Sequence, residues 1–138
     1  MLFRSQAMDL VARKMVDGGE AAYRLIDEVQ AEAECARATM PDLATAVWTA
    51  AEALREATEV LIAQEMNDRS AGAVAYLRAF ARILGGHFHL KAAYADAARA
   101  PLARFAIKRL LPEHASLLMQ MREGAADLYA VSAEALCA

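Results

Sequence analysis

Ala71-Gly-Ala-Val-Ala-Tyr-Leu-Arg-Ala-Phe-Ala-Arg-Ile-Leu-Gly-Gly-His-Phe-His-Leu-Lys-Ala-Ala-Tyr-Ala-Asp-Ala-Ala98 is the stretch whose periodicity decides the fold. At roughly 100° per residue, Arg78, Arg82, His89 and Asp96 fall on one narrow stripe. Tyr76, Phe80, Ile83, Leu84, Leu90 and Tyr94 fall on the broad opposite side, with His87 among them. A stripe this wide belongs to a helix sunk among other helices, with a thin solvated edge. Gly85-Gly86 interrupts it at a cost of roughly 1 kcal/mol per glycine relative to alanine, so the pair implies a close neighbour. The expected neighbour is the helix over Leu102–Leu111, with the glycines letting backbones meet.

The 138 residues fit one domain, large enough to bury about two-thirds of the unfolded surface. Three prolines and six glycines are too few for many short strands and turns, and alanine dominates the apolar 58%. The expected fold is all-α: an antiparallel four-helix bundle with a short leading helix and a kink or break at Pro112. The net charge of −3, with Lys and Arg scattered, excludes a basic nucleic-acid face. No apolar run reaches the ~18 residues of a membrane span, no signal peptide opens the chain, and the polar faces are not Lys-rich. These features place the chain in the cytoplasm, bound to neither nucleic acid nor membrane. Cys35 and Cys137 read as two reduced thiols.

Working outward, Gln6–Val16 reads as the leading helix, with Met8, Val11, Ala12 and Met15 on one side. Asp17-Gly18-Gly19 stops it. Glu20–Arg37 carries an Ala22, Leu25, Ile26, Val29, Ala33 stripe beneath an acidic outer face. Asp42–Met66 alternates spacings of three and four through Leu43, Val47, Ala50, Leu54, Ala57 and Leu61, the seam of antiparallel helices. Asn67-Asp68-Arg69-Ser70 reads as a tight polar connection, with Asp68 or Ser70 as cap. Beyond Pro101, Leu102, Phe105, Ala106 and Leu110 give an inner face until Pro112 interrupts it. Leu117, Leu118, Met121, Ala125 and Leu128 continue to about Tyr129, and Ser132 caps a last short turn.

Candidate chemistry is sparse. His87 and His89 stand two apart, so they point to nearly opposite sides of a helix. His87 reads as a packed side chain, and His114 as a surface one. No glutamate stands three residues before a histidine, as a di-iron bundle requires. Glu28/Glu32 and Glu52/Glu56/Glu59 lie on polar sides. Asp17-Gly18-Gly19 and Gly85-Gly86 lack the strand-to-helix context of a phosphate loop. Neither Ser70 nor Cys35 has a histidine nearby in sequence to activate it. Met8, Met15, Met66, Met119 and Met121 read as core filling. The residues alone give no catalytic, cofactor-binding or metal residues.

Several segments nevertheless look familiar. Gln6-Ala-Met-Asp-Leu-Val-Ala-Arg-Lys14 resembles a segment in one branch of the acyl-CoA dehydrogenase family, the branch similar to 3-methylmercaptopropionyl-CoA dehydrogenase. Ala73-Val-Ala-Tyr-Leu-Arg78, Gly85-Gly86, Lys91-Ala-Ala93, Phe105 and Leu110-Leu-Pro-Glu-His114 resemble the helical extension that closes those chains, as does Gly124–Leu136. Ala12 departs from a common glycine and His87 from a common aromatic. The family dehydrogenates acyl-CoA thioesters to 2-enoyl-CoA: a glutamate removes the α-proton and FAD takes the β-hydride.

In that branch the glutamate motif lies just before the position of Gln6, where this chain has Met1-Leu-Phe-Arg-Ser5. The resemblance therefore carries over no catalytic base and no flavin site. It implies that residues 1–5 are a non-native start and that 6–138 form the C-terminal helical domain, a fragment of a longer reading frame. On this reading the chain alone is inactive. FAD belongs to the parent enzyme, and the partners are the parent's catalytic domains and further copies in a homo-oligomer. The competing reading is a stand-alone helical-bundle interaction module.

Overall fold

A computed structural model describes residues 2–137, with side chains from Gln6 onward; Met1 of the stretch 1–5 lies outside the described residues. All regular structure among them is helical: α1 (Leu2–Val11), a 3₁₀ turn (Arg13–Met15), α2 (Glu20–Ala36), α3 (Pro41–Ala63) and α4 (Met66–Ala95). A 3₁₀ turn (Ala97–Arg99) leads into α5 (Ala100–Phe105), a π-turn (Ala106–Leu110), α6 (Glu113–Arg122), α7 (Ala126–Ala130) and α8 (Ala133–Leu136). None of these helices is long and apolar enough to cross a membrane.

Helix α4 is the hub, touching α1, α2, α3, α5 and α6. Cross-helix contacts set the directions. Arg37 donates to Thr45, Gln30 to Glu52 and Arg55 to Asp27, so α2 and α3 run antiparallel. Thr58 meets Tyr76, and Arg69 donates to the carbonyl oxygens of Ile62 and Gln64, which turns α4 back along α3. Arg78 pairs with Glu113 while Ala125 N–H donates to Asp68, so α6 descends along α4. The seam residues Leu43, Val47, Ala50, Leu54, Ala57 and Leu61 are all buried, as their spacing requires.

The boundaries hold several corrections. The leading helix ends at Val11, and Arg13–Met15 tightens into a 3₁₀ turn. There Gly18 and Gly19 take φ of +71° and +83°, a region open mainly to glycine. The connection expected at Asn67–Ser70 lies earlier, at the extended Gln64-Glu65 pair, and Asn67–Ser70 is helical. The Arg69 guanidinium explains the shift: it satisfies carbonyls that the end of α3 leaves free. Asp68 does not cap its own helix but accepts from Ala125 N–H at 2.9 Å.

The last quarter departs most. Of the expected inner face only Ala106 is buried; Leu102, Phe105 and Leu110 are exposed, and Ala103, Ile107 and Leu111 are buried instead. Pro112 has no N–H to continue the ladder, and the chain reaches it through a wide turn in which Leu111 N–H bonds back five residues to Ala106 O at 3.0 Å. One extra residue in that turn rotates the apolar face beyond it, so a constant 100° step selects Leu110 in place of Leu111. Met8, Tyr94 and Leu128 are likewise exposed rather than packed.

Candidate functional site

At Gly85-Gly86 the two glycines differ. A Cβ on Gly86 would sit 3.3 Å from the Leu111 side chain, whereas one on Gly85 would meet nothing within 4 Å. The neighbour does come from the Leu102–Leu111 region, but it is a side chain rather than backbone. Backbone approach occurs at Gly72, where a Cβ would lie 2.7 Å from Met121 O and 3.1 Å from Met121 Cα. Gly72 carried no signal in the sequence beyond being a glycine in an apolar helix.

His87 is 1% exposed, and its Nδ1 has no hydrogen-bond partner. Burial pushes its pKa below 6.5, against the opposing pull of Glu32. It stays neutral and packs against Phe88. Glu32 itself is held by Lys91 at 2.5 Å. His89 lies half-buried on the far side of α4, lining a small pocket with Arg82, Gly85, Gly86 and Leu111. His114 is half-buried rather than a plain surface residue, and its Nδ1 lies 2.6 Å from Leu111 O, beside the Pro112 break. The three histidines do not converge, and the described residues contain no group of three or more His, Cys, Asp or Glu placed to share a metal.

The expected polar faces are surface networks. Arg55 bridges Asp27, Gln30 and Glu52, with its guanidinium over the Tyr23 ring. Arg78 and Arg82 both grip Glu113, a three-residue fork that sequence spacing did not reveal because it joins α4 to α6. Asp42, at the start of α3, holds Arg104 at 2.8 Å and Lys108 at 3.3 Å, and Arg104 keeps its carboxyl below the usual carboxylate range. Ser70 spends its hydroxyl on Met66 O, while Cys35 and Cys137 are exposed free thiols. Among the described residues the one fully buried polar pair is Thr58 and Tyr76: Thr58 donates to Leu54 O at 2.7 Å and accepts from the Tyr76 hydroxyl at 2.8 Å. Burial lifts the Tyr76 pKa to about 12, so it is neutral throughout the physiological range.

The most site-like concavity is a half-open groove of about 400 Å³ between α1, α2 and α4. Leu10, Met15, Leu25, Leu77, Phe80 and Leu84 supply its walls, and Lys14 is its one charged lining residue. It can take apolar side chains or an acyl-sized apolar group, and Lys14 is the single titratable group in its lining. It does not suit FAD, whose pyrophosphate needs several converging donors. The amides at the start of α2 are also taken, since the Asp17 carboxylate accepts from Gly19 N–H at 2.9 Å and Ala21 N–H at 3.2 Å.

A family model described as acetyl-CoA dehydrogenase C-terminal like matches residues 25–132, from within α2 to Ser132. Comparison with curated proteins and with solved structures gives no match. The matched span takes in the α4 hub, the Gly86–Leu111 contact and the Arg78–Glu113–Arg82 fork, and leaves Gln6–Lys14 outside. With most of its length covered, the chain belongs to the acetyl-CoA dehydrogenase C-terminal-like family.

Proposed function

We propose that this chain is the C-terminal helical domain of an FAD-dependent acyl-CoA dehydrogenase, supplying packing and subunit-interface structure rather than the catalytic base. The family match over residues 25–132 carries the reading. The site chemistry agrees with it: an apolar groove with one lysine, and ion pairs confined to the surface. FAD, held elsewhere in the parent enzyme, would supply the hydride acceptor. The catalytic residues, like the flavin site, lie outside this chain. Gln6–Lys14 favours the branch similar to 3-methylmercaptopropionyl-CoA dehydrogenase. We read residues 6–138 as this domain.

Helix α2, α3, α4 and the α5–α6 limb form an up-down-up-down bundle with α1 laid on one side. It acts in the cytoplasm, within a homo-oligomer. Leu102 and Phe105 share the outer face of α5, 52% and 57% exposed, which suits packing against the catalytic domains. The test is to purify the chain and record its visible spectrum. No stoichiometric flavin and no acyl-CoA turnover are expected, with both restored in the parent protein. Flavin absorbance co-purifying one-to-one with the chain alone would contradict the reading. A stand-alone interaction module would instead retain one specific partner unrelated to a dehydrogenase.

A further inference from the structure

Besides the Leu102 and Phe105 face of α5, two apolar surfaces of this chain lack a partner within it. One is the groove between α1, α2 and α4. The other is the arm over Ala126–Cys137, in which Leu128, Tyr129 and Leu136 are 62%, 76% and 77% exposed. The arm is nonetheless structured: Asp68 holds Ala125 N–H at its root, and the Ser132 hydroxyl accepts from Ala135 N–H at 3.2 Å to cap α8. A capped helix with its apolar residues in water is organised for a surface it does not meet in its own chain.

We propose that the arm of each chain lies in the α1–α2–α4 groove of a second copy, giving an arm-exchanged dimer. Charge supports the match. From Glu123 onward the chain has no Lys or Arg, and the arm carries Asp127 and Glu134. The groove's one charged wall residue is Lys14, which has no acidic partner among the described residues because Asp9 is committed to Arg13. Geometry separates exchange from a fold-back. The arm departs beside Asp68, while the groove begins at Leu77 on the same helix. Nine residues at 3.6 per turn place Leu77 half a turn round α4 from Asp68 and about 13 Å along it. An arm reaching its own groove must wrap around α4 and unwind α7 and α8; an arm from another copy keeps them. The exchange is isologous, each copy giving one arm and receiving one, so it closes at two.

The dimer names the contact behind the homo-oligomer proposed above and rests on that part of the reading alone. Sedimentation velocity of the full chain over a concentration series tests it. The wild-type chain should be a dimer that dissociates on dilution. Leu128→Asp with Leu136→Asp removes the arm's apolar face, and Ala81→Glu fills the exposed lip of the groove with bulk and negative charge. Each variant should weaken dimerisation at least tenfold while keeping its helical circular dichroism and the melting temperature of the dilute, monomeric wild-type chain, because the altered side chains are exposed. Mixed together, the two variants should form a heterodimer through the one intact arm and the one intact groove. A dimer indifferent to both variants overturns the exchange but leaves a homo-oligomer standing. A wild-type monomer at every concentration overturns both. Two monomeric variants that fail to associate on mixing also overturn the exchange. The flavin test of the dehydrogenase reading is independent of all these outcomes.

Discussion

At the scale of single residues, the glycines of α4 show how one residue type meets three environments. Gly85 faces open space, so Gly85→Ala should stabilise the chain by up to about 1 kcal/mol, through helix propensity and a less flexible unfolded state. Gly72 faces the Met121 backbone, which cannot step aside as a side-chain tip can. Gly72→Ala should therefore cost about 1–3 kcal/mol. Gly86→Leu should cost a similar ~1–3 kcal/mol by driving into Leu111. Urea unfolding of the three variants gives the order directly, and a neutral Gly72→Ala would mean α6 is free to move. His87 offers a pH test. Its folded pKa lies below the ordinary value of 6.5 because burial disfavours the cation, with Glu32 and Glu28 of α2 opposing and Lys91 of α4 assisting. As pH falls through about 6.5 the unfolded chain takes up a proton that the folded chain refuses, so stability falls with pH until the folded pKa is passed. His87→Leu should flatten melting temperature against pH between about 7 and 5.5; an unchanged slope would place the dependence on another group.

At the scale of elements, legibility tracked how faithfully each segment keeps one helical step. The α3 seam, Leu43 through Leu61, was legible because 23 residues run without interruption and bury one continuous face. The α5–α6 limb was not, because the π-turn before Pro112 adds a residue that a 100° projection cannot see. That offset moved the buried position from Leu110 to Leu111, whereas Leu102 and Phe105 precede it and lie off the Ala103, Ala106 and Ile107 face, which two small alanines made hard to read. The α3–α4 turn was misplaced for a related reason: its position depends on Arg69 reaching back to Ile62 and Gln64, a tertiary choice with no local signature. Asp68 is the other long-range choice, joining the start of α4 to the end of α6. Asp68→Ala frees the Ala125 amide and should cost about 1 kcal/mol, in the range of a lost helix cap. Amide exchange should quicken over residues 124–130 while the Leu43–Leu61 seam stays protected. Uniform quickening would instead mean that Asp68 supports the global fold.

At the scale of the whole molecule, the groove was not legible in the sequence. Its walls come from three helices whose registry depends on where α1 lands, and residues such as Leu10, Leu77 and Leu84 look like ordinary core positions in sequence. What the molecule adds to the sequence is a division of apolar surface. One set closes the core, the groove and arm form a second, and Leu102 with Phe105 on α5 form a third. A domain that completed itself would have little reason to keep that third set in water, because each large apolar side chain gains about 1.5–3 kcal/mol when buried. The consequence can be measured. Leu102→Glu with Phe105→Glu should leave the melting temperature of this chain within a degree or two, since neither side chain contributes to its core, and should raise its solubility. On the proposed reading, the same pair in the parent enzyme should weaken packing of this domain on the catalytic part, seen as faster limited proteolysis at the junction and loss of activity on mild heating. A large fall in the melting temperature of the chain alone would mean that α5 packs inward in solution, and that its outer face is part of the core after all.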